Sequence, residues 1–166
     1  MAMQNVNAIV SLYADIEFPN DPVIFIKPFN KLTAKRNKNG EINDLNGFYV
    51  VMNFNLLGSM EKEIDNVINE QKDLMVLLRI TKMSKDLEDQ KDAFLDSFKI
   101  SFDNCNKCTD AGIPYISAKK IKYVNLLEHF ENISAGMYMI KILVQKENEK
   151  NKKDWFLQSF TILTIV

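Results

Sequence analysis

The chain has 166 residues, 46% of them apolar and 26% charged, with a formal net charge of −1. Those values exclude a disordered segment, which needs low hydrophobicity together with high net charge, and they describe one domain, 1–166, long enough to bury a core. A near-neutral total supplies no field to draw in nucleic acid or an anionic membrane, so neither is expected as a partner.

The opening "MAMQNVNAIVSLYADIEF" has no basic n-region, and Ser11, Asp15 and Glu17 break its apolar stretch, so it does not read as a signal peptide. No apolar run approaches the ~20 residues that cross a bilayer, and a cytoplasmic location is expected. Within 8–18, Val10, Leu12, Ala14, Ile16 and Phe18 alternate with polar residues, the period-two signature of a half-buried strand. Residues 22–34 are a further β candidate, which Pro28 confines to an edge or a bend. The basic run "KLTAKRNKNG" (31–40) reads as a solvated hairpin end, because Glu41 and Asp44 follow at once.

The strongest alternation is in "NGFYVVMNFNLLG" (46–58). Phe48, Val50, Met52, Phe54 and Leu56 take one face, and Asn53 and Asn55 the other. Then "SMEKEIDNVINEQKD" places Met60, Ile64, Val67 and Ile68 at helical spacing and predicts one short helix near 59–72. Alternation returns at 74–81 (Leu74, Val76, Leu78, Ile80). "SKDLEDQKD" (84–92) is expected as a charged loop or single helical turn, and Phe98, Ile100 and Phe102 alternate again.

Only "FDNCNKCTDAGIPY" (102–115) suggests site chemistry. Cys105 and Cys108 have the spacing of a redox pair or half a zinc site. A redox pair usually opens a helix, whereas Gly112 and Pro114 block one here. A structural zinc needs four ligands. One chain offers these two thiols with Asp103, Asp110 or His129 as supplements, and a symmetric dimer would double the thiols. Cys105 and Cys108 are therefore the candidate metal ligands, zinc the candidate ion. The competing reading is two reduced thiols in a β-to-β connection with no cofactor.

Residues 115–127 are a β candidate, and His129, the only histidine, reads as a surface side chain before a turn. Tyr138, Ile140, Ile142 and Val144 alternate in 137–145. The polar insert "KENEKNKKD" (146–154) connects this run to the final "DWFLQSFTILTIV", where Gln158–Ser159 marks an expected bulge. Trp155 reads as core or interface.

Roughly eight strands with one helix predict an all-β fold, an antiparallel β-sandwich, since half-buried strands need a second layer. "ENISAGMYMIKILV" (131–144) resembles the end of an immunoglobulin-like sandwich, with a loop closing on Gly136 and Tyr138 opening the next strand. In overall layout the chain is similar to small bacterial β-sandwich domains of unknown function. The resemblance implies that the Tyr138 hydroxyl ties back to the preceding loop, a tyrosine corner. The antibody-type Cys…Trp…Cys pattern is absent.

No phosphate-binding glycine loop, nucleophile elbow or carboxylate pair stands out, and five glycines make the first hard to build. The chain is not expected to be an enzyme. Its richness in Asn, Lys and Ile reflects an AT-rich genome. The expected function is a non-catalytic protein-interaction or binding module of a bacterial or phage protein, its partner another protein. A homo-oligomeric structural or virion-type assembly protein is one alternative, and a metal- or thiol-dependent protein using the CNKC loop is another. A carbohydrate-binding role is a weaker one, since Trp155 is the only tryptophan.

Overall fold

The computed structural model describes residues 6–17, 24–57, 73–84, 89–102, 105, 107–110, 113–129, 133–147 and 153–166. In chain order the strands are β1 (Val6–Glu17), β2 (Ile24–Pro28), β3 (Lys31–Leu32), β4 (Lys35–Arg36), β5 (Ile42–Asp44), β6 (Phe48–Leu57), β7 (Asp73–Met83), β8 (Asp89–Ser101), β9 (Lys107–Asp110), β10 (Ile113–Val124), β11 (Gly136–Glu147) and β12 (Lys153–Ile165). A four-residue helical turn, Leu126–His129, separates β10 from β11.

Two five-stranded sheets result, in the orders β2-β1-β6-β10-β9 and β3-β12-β11-β7-β8, with β4-β5 as a separate hairpin. Among the described strands every pairing is antiparallel except the two-residue contact of β3 with β12. The fold is all-β, as the alternation requires. The additional strands beyond the expected eight are short pieces of two to four residues, β3, β4, β5 and β9. Such lengths carry no period.

Both sheets turn their apolar faces inward. Phe48, Val50, Met52 and Phe54 from β6 join Leu74, Val76, Leu78 and Ile80 from β7 and Tyr138, Ile140, Ile142 and Val144 from β11 in one buried cluster. At roughly 25 cal/mol per Å² of apolar area, each such side chain contributes about 1.5–3 kcal/mol by leaving water. The expected faces are thus the core faces.

Three expectations change in detail. The segment 22–34 is divided: β2 pairs with β1 at the edge of the first sheet, and the chain then crosses at Phe29–Asn30 to lie beside β12 in the second. The Phe29 N–H donates to Leu12 O and the Thr164 N–H to Asn30 O, with Pro28 at the crossing. The charged stretch 84–92 already enters β8 at Asp89, because pairing with Met83 and Thr81 across two register shifts recruits a polar sequence into the ladder. Residues 115–127 leave the strand at Val124, where the Asn125 side chain accepts the Leu127 N–H and starts the helical turn. The helix expected near 59–72 lies outside the described residues.

Candidate functional site

The CNKC loop separates its two thiols into different environments. Cys105 packs against the core, its Sγ 3.9 Å from the Ser101 carbonyl, and burial pushes its pKa up. Cys108 is exposed on β9, opposite Tyr115 on β10. The proximity of the Cys108 thiol raises the Tyr115 pKa, with burial and Asp110 adding to it. Neither cysteine is in a disulfide. Among the described residues no three His, Cys, Asp or Glu side chains gather as a metal-binding group. A metal on Cys105 and Cys108 would have to draw its other ligands from elsewhere. Of the proposed supplements, Asp110 is exposed at the end of β9, and Asp103 lies outside the described residues. The His129 ring meets Phe94 edge-on, centroids 4.9 Å apart.

The basic run forms the β4–β5 hairpin. Lys35 pairs with Asp44 at 2.7 Å. Asn37 Oδ1 accepts the N–H groups of Asn39 and Glu41, and Gly40 closes the turn at φ 83°, where a Cβ would be strained. A cleft of about 440 Å³ lies between this hairpin and Ile133–Ser134. Its Arg36 donates to Gly40 O within the turn, and Ser134 on the opposite wall accepts from Lys82.

The surface that stands apart is β12. Leu163 and Ile165, at its C-terminal end, are buried, and β3 pairs with Thr164 and Ile165 there. Toward the other end Trp155 is 38% exposed, Phe156 40%, Leu157 50%, Phe160 55% and Ile162 39%. Ile162, Phe160, Leu157 and Trp155 lie in register with Met139, Lys141, Leu143 and Gln145 of β11. These are the β11 positions that alternate with its core residues, so the four side chains share the outer face of the second sheet. Leu143 continues in register to Leu77 of β7, and Leu95 of β8 lies two strands from Lys141 through Arg79. An apolar row therefore runs from Leu157 through Leu143 to Leu77 and ends at Ser97 of β8, while the path from Phe160 to Leu95 passes the charged Lys141 and Arg79.

β12 is also a sheet edge. Beyond the contact with β3, no described strand is hydrogen-bonded to its outer side along Lys153–Leu163, although β1 of the first sheet runs near it. The opposite edge, β8, contains Asp89, Lys91, Asp92, Asp96 and Lys99 and pairs through two register shifts. Charges and bulges are how sheets keep an edge from taking another strand. From Trp155 to its end at Ile165, β12 has no charged side chain. Sequence periodicity missed this surface because a residue's face and its neighbour strand are both set by register. The weak alternation of "DWFLQSF" was its one sign.

No family model matches the chain, and no curated protein matches it. Among solved structures, the CooA pilin subunit from enterotoxigenic Escherichia coli aligns over 97% of this chain and 95% of its own, at 9% identity and a TM-score of 0.33. Values this low transfer neither topology nor role. No helix among the described residues is long and apolar enough to cross a membrane.

Proposed function

We propose that this chain is a non-catalytic protein-interaction module whose working surface is β12 and the outer sheet face beside it. The observation that carries the reading is the run Trp155, Leu157, Phe160 and Ile162, exposed on a stretch of edge that has no charged residue after Asp154. Folded proteins seldom leave such an edge uncovered, because its backbone groups and side chains together template another strand. Strand addition suits this edge: main-chain bonds supply affinity, and alternate side chains supply selectivity. The immunoglobulin-like reading of the sandwich draws support from Tyr138, whose hydroxyl donates to Ser134 O at 2.7 Å, as a tyrosine corner does.

Affinity capture with the intact chain and with a Phe160→Lys variant tests the proposal. The expected result is a polypeptide, the chain's own copies included, bound stoichiometrically by the native chain and released by the variant. A native chain that retains no polypeptide, or a variant that retains the same ones equally, overturns it.

A further inference from the structure

Resting on that reading, we infer that the strand accepted by the β12 edge is β12 of a second copy, added antiparallel about a two-fold axis at Ser159. The N–H groups of Thr164 and Val166 donate away from β11, to Asn30 O and Leu32 O. Backbone direction alternates along a strand, so the N–H and C=O groups of Ile162 and Phe160 point to the same side, away from β11, where no described strand is bonded to them. The register with β11 shifts between Ile142↔Ser159 and Leu143↔Leu157, which makes Gln158 the extra residue. That bulge returns Leu157 and Trp155 to the phase of Phe160 and Ile162, on the outer face and with their backbone groups directed away from β11.

The phase change makes the edge self-complementary. With Ser159 opposite its own copy and the bulged Gln158 of each strand left out of the register, Leu157 pairs with Phe160 of the second copy and Trp155 with Ile162. All four pairs, counted in both directions, join apolar partners on one face and exchange main-chain bonds, the kind of cross-strand pair that stabilises sheets. Without the bulge, aligning Leu157 with Phe160 would set an outward side chain against an inward one. Charge also favours a second copy. The segment Trp155–Val166 has no charged residue, so self-pairing opposes no like charges. The adjacent Lys153 and Asp154 carry opposite signs. Length agrees as well: the last pair that fits, Asp154 with Leu163, ends where β3 occupies the edge at Thr164. The product is a continuous sheet through both copies, with the exposed apolar side chains of the two β12 strands joined, and an isologous contact of the commonest symmetry.

Native mass spectrometry and sedimentation of the full chain test the inference, together with cross-linking of a Ser159→Cys variant carrying Cys105→Ser and Cys108→Ser. The expected result is a dimer whose dissociation constant rises roughly 30-fold or more in Leu157→Lys, as for loss of a buried anchor, with unchanged circular dichroism. Phe160→Lys should do the same. Ser159→Cys should form an intermolecular disulfide under mild oxidation, because directly opposed Cβ atoms sit about 4.5–5.5 Å apart. A Leu95→Cys control in the same background should not. A chain that stays monomeric at roughly 100 µM, well above the ~1 µM dissociation constant of modest complexes, overturns the inference. So does a dimer indifferent to both lysine variants, or one that links through Leu95→Cys but not Ser159→Cys. A monomer that still captures another polypeptide through Phe160 leaves the interaction module standing and removes only the second copy.

Discussion

Tyr138 shows how much one side chain holds together. Its ring is buried in the core, and its hydroxyl donates to Ser134 O while accepting the Ser134 N–H at 3.4 Å. Two residues earlier, Gly136 adopts φ 143°, which lets the loop turn into β11. Tyr138→Phe keeps the ring and removes the tie, so chemical denaturation should show a loss of about 1 kcal/mol. Burial raises the phenol's pKa above its ordinary 10.0, and the hydrogen bond with Ser134 only partly opposes this. A raised folded-state value means stability is fully present below pH 10 and is lost as pH rises through the folded pKa. The native chain should therefore lose stability above pH 10, and Tyr138→Phe should lose less over the same range. At the cysteines the same physics acts on reactivity. Burial disfavours the Cys105 thiolate, whereas Cys108 is exposed. Alkylation followed by peptide mass mapping should modify Cys108 first, since the thiolate is the reacting form. Equal rates would contradict the separation of the two environments.

Among the strands, β10 illustrates how an element can depart from its pattern and still fit. Lys120 and Lys122 occupy positions in register with the core residues Met52 and Val50 of β6. They do not enter the core. Their stems run out past Phe98 of β8, with Nζ atoms 5.8 and 5.1 Å from the ring centroid, and Lys122 ends 2.7 Å from Asp96. Long cationic side chains can cover apolar surface while keeping the charge in water, and here they bridge the two sheets. The ion pair is about one-third exposed on both sides. Asp96→Asn should therefore cost only about 0.5–1 kcal/mol in a urea titration, with a smaller difference at high salt. A loss of several kcal/mol would mean that the pair is buried more deeply. The weak signal of β12 has a similar origin. Gln158 interrupts the alternation, and "DWFLQSF" looks irregular until its register with β11 is known.

For the whole molecule, the division between core and surface can be measured with two phenylalanines. Phe54 is fully buried between the sheets and Phe160 is 55% exposed. Phe54→Ala should destabilise by about 3–5 kcal/mol through lost burial and the cavity left behind. Phe160→Ala should change the stability of the isolated chain by no more than about 0.5 kcal/mol, while weakening association. If both variants unfold alike, Phe160 belongs to the core and the proposed surface does not exist. The sequence by itself determined the inward faces of β6, β7 and β11 and that of β1 as far as Leu12, beyond which the expected inward Ala14 is exposed, together with the all-β class, the place of Pro28 at an edge or bend, the hairpin at 37–40 and the bulge at Gln158. Each follows from the period of two or from local dihedral limits, and both are written in neighbouring residues. Only the tertiary structure decided that β12 is an edge, that β8 is the charged edge opposite it, and that Cys105 and Cys108 face different surroundings. Those facts depend on which strands become neighbours, and pairing between residues far apart in the chain leaves no periodic trace in either partner.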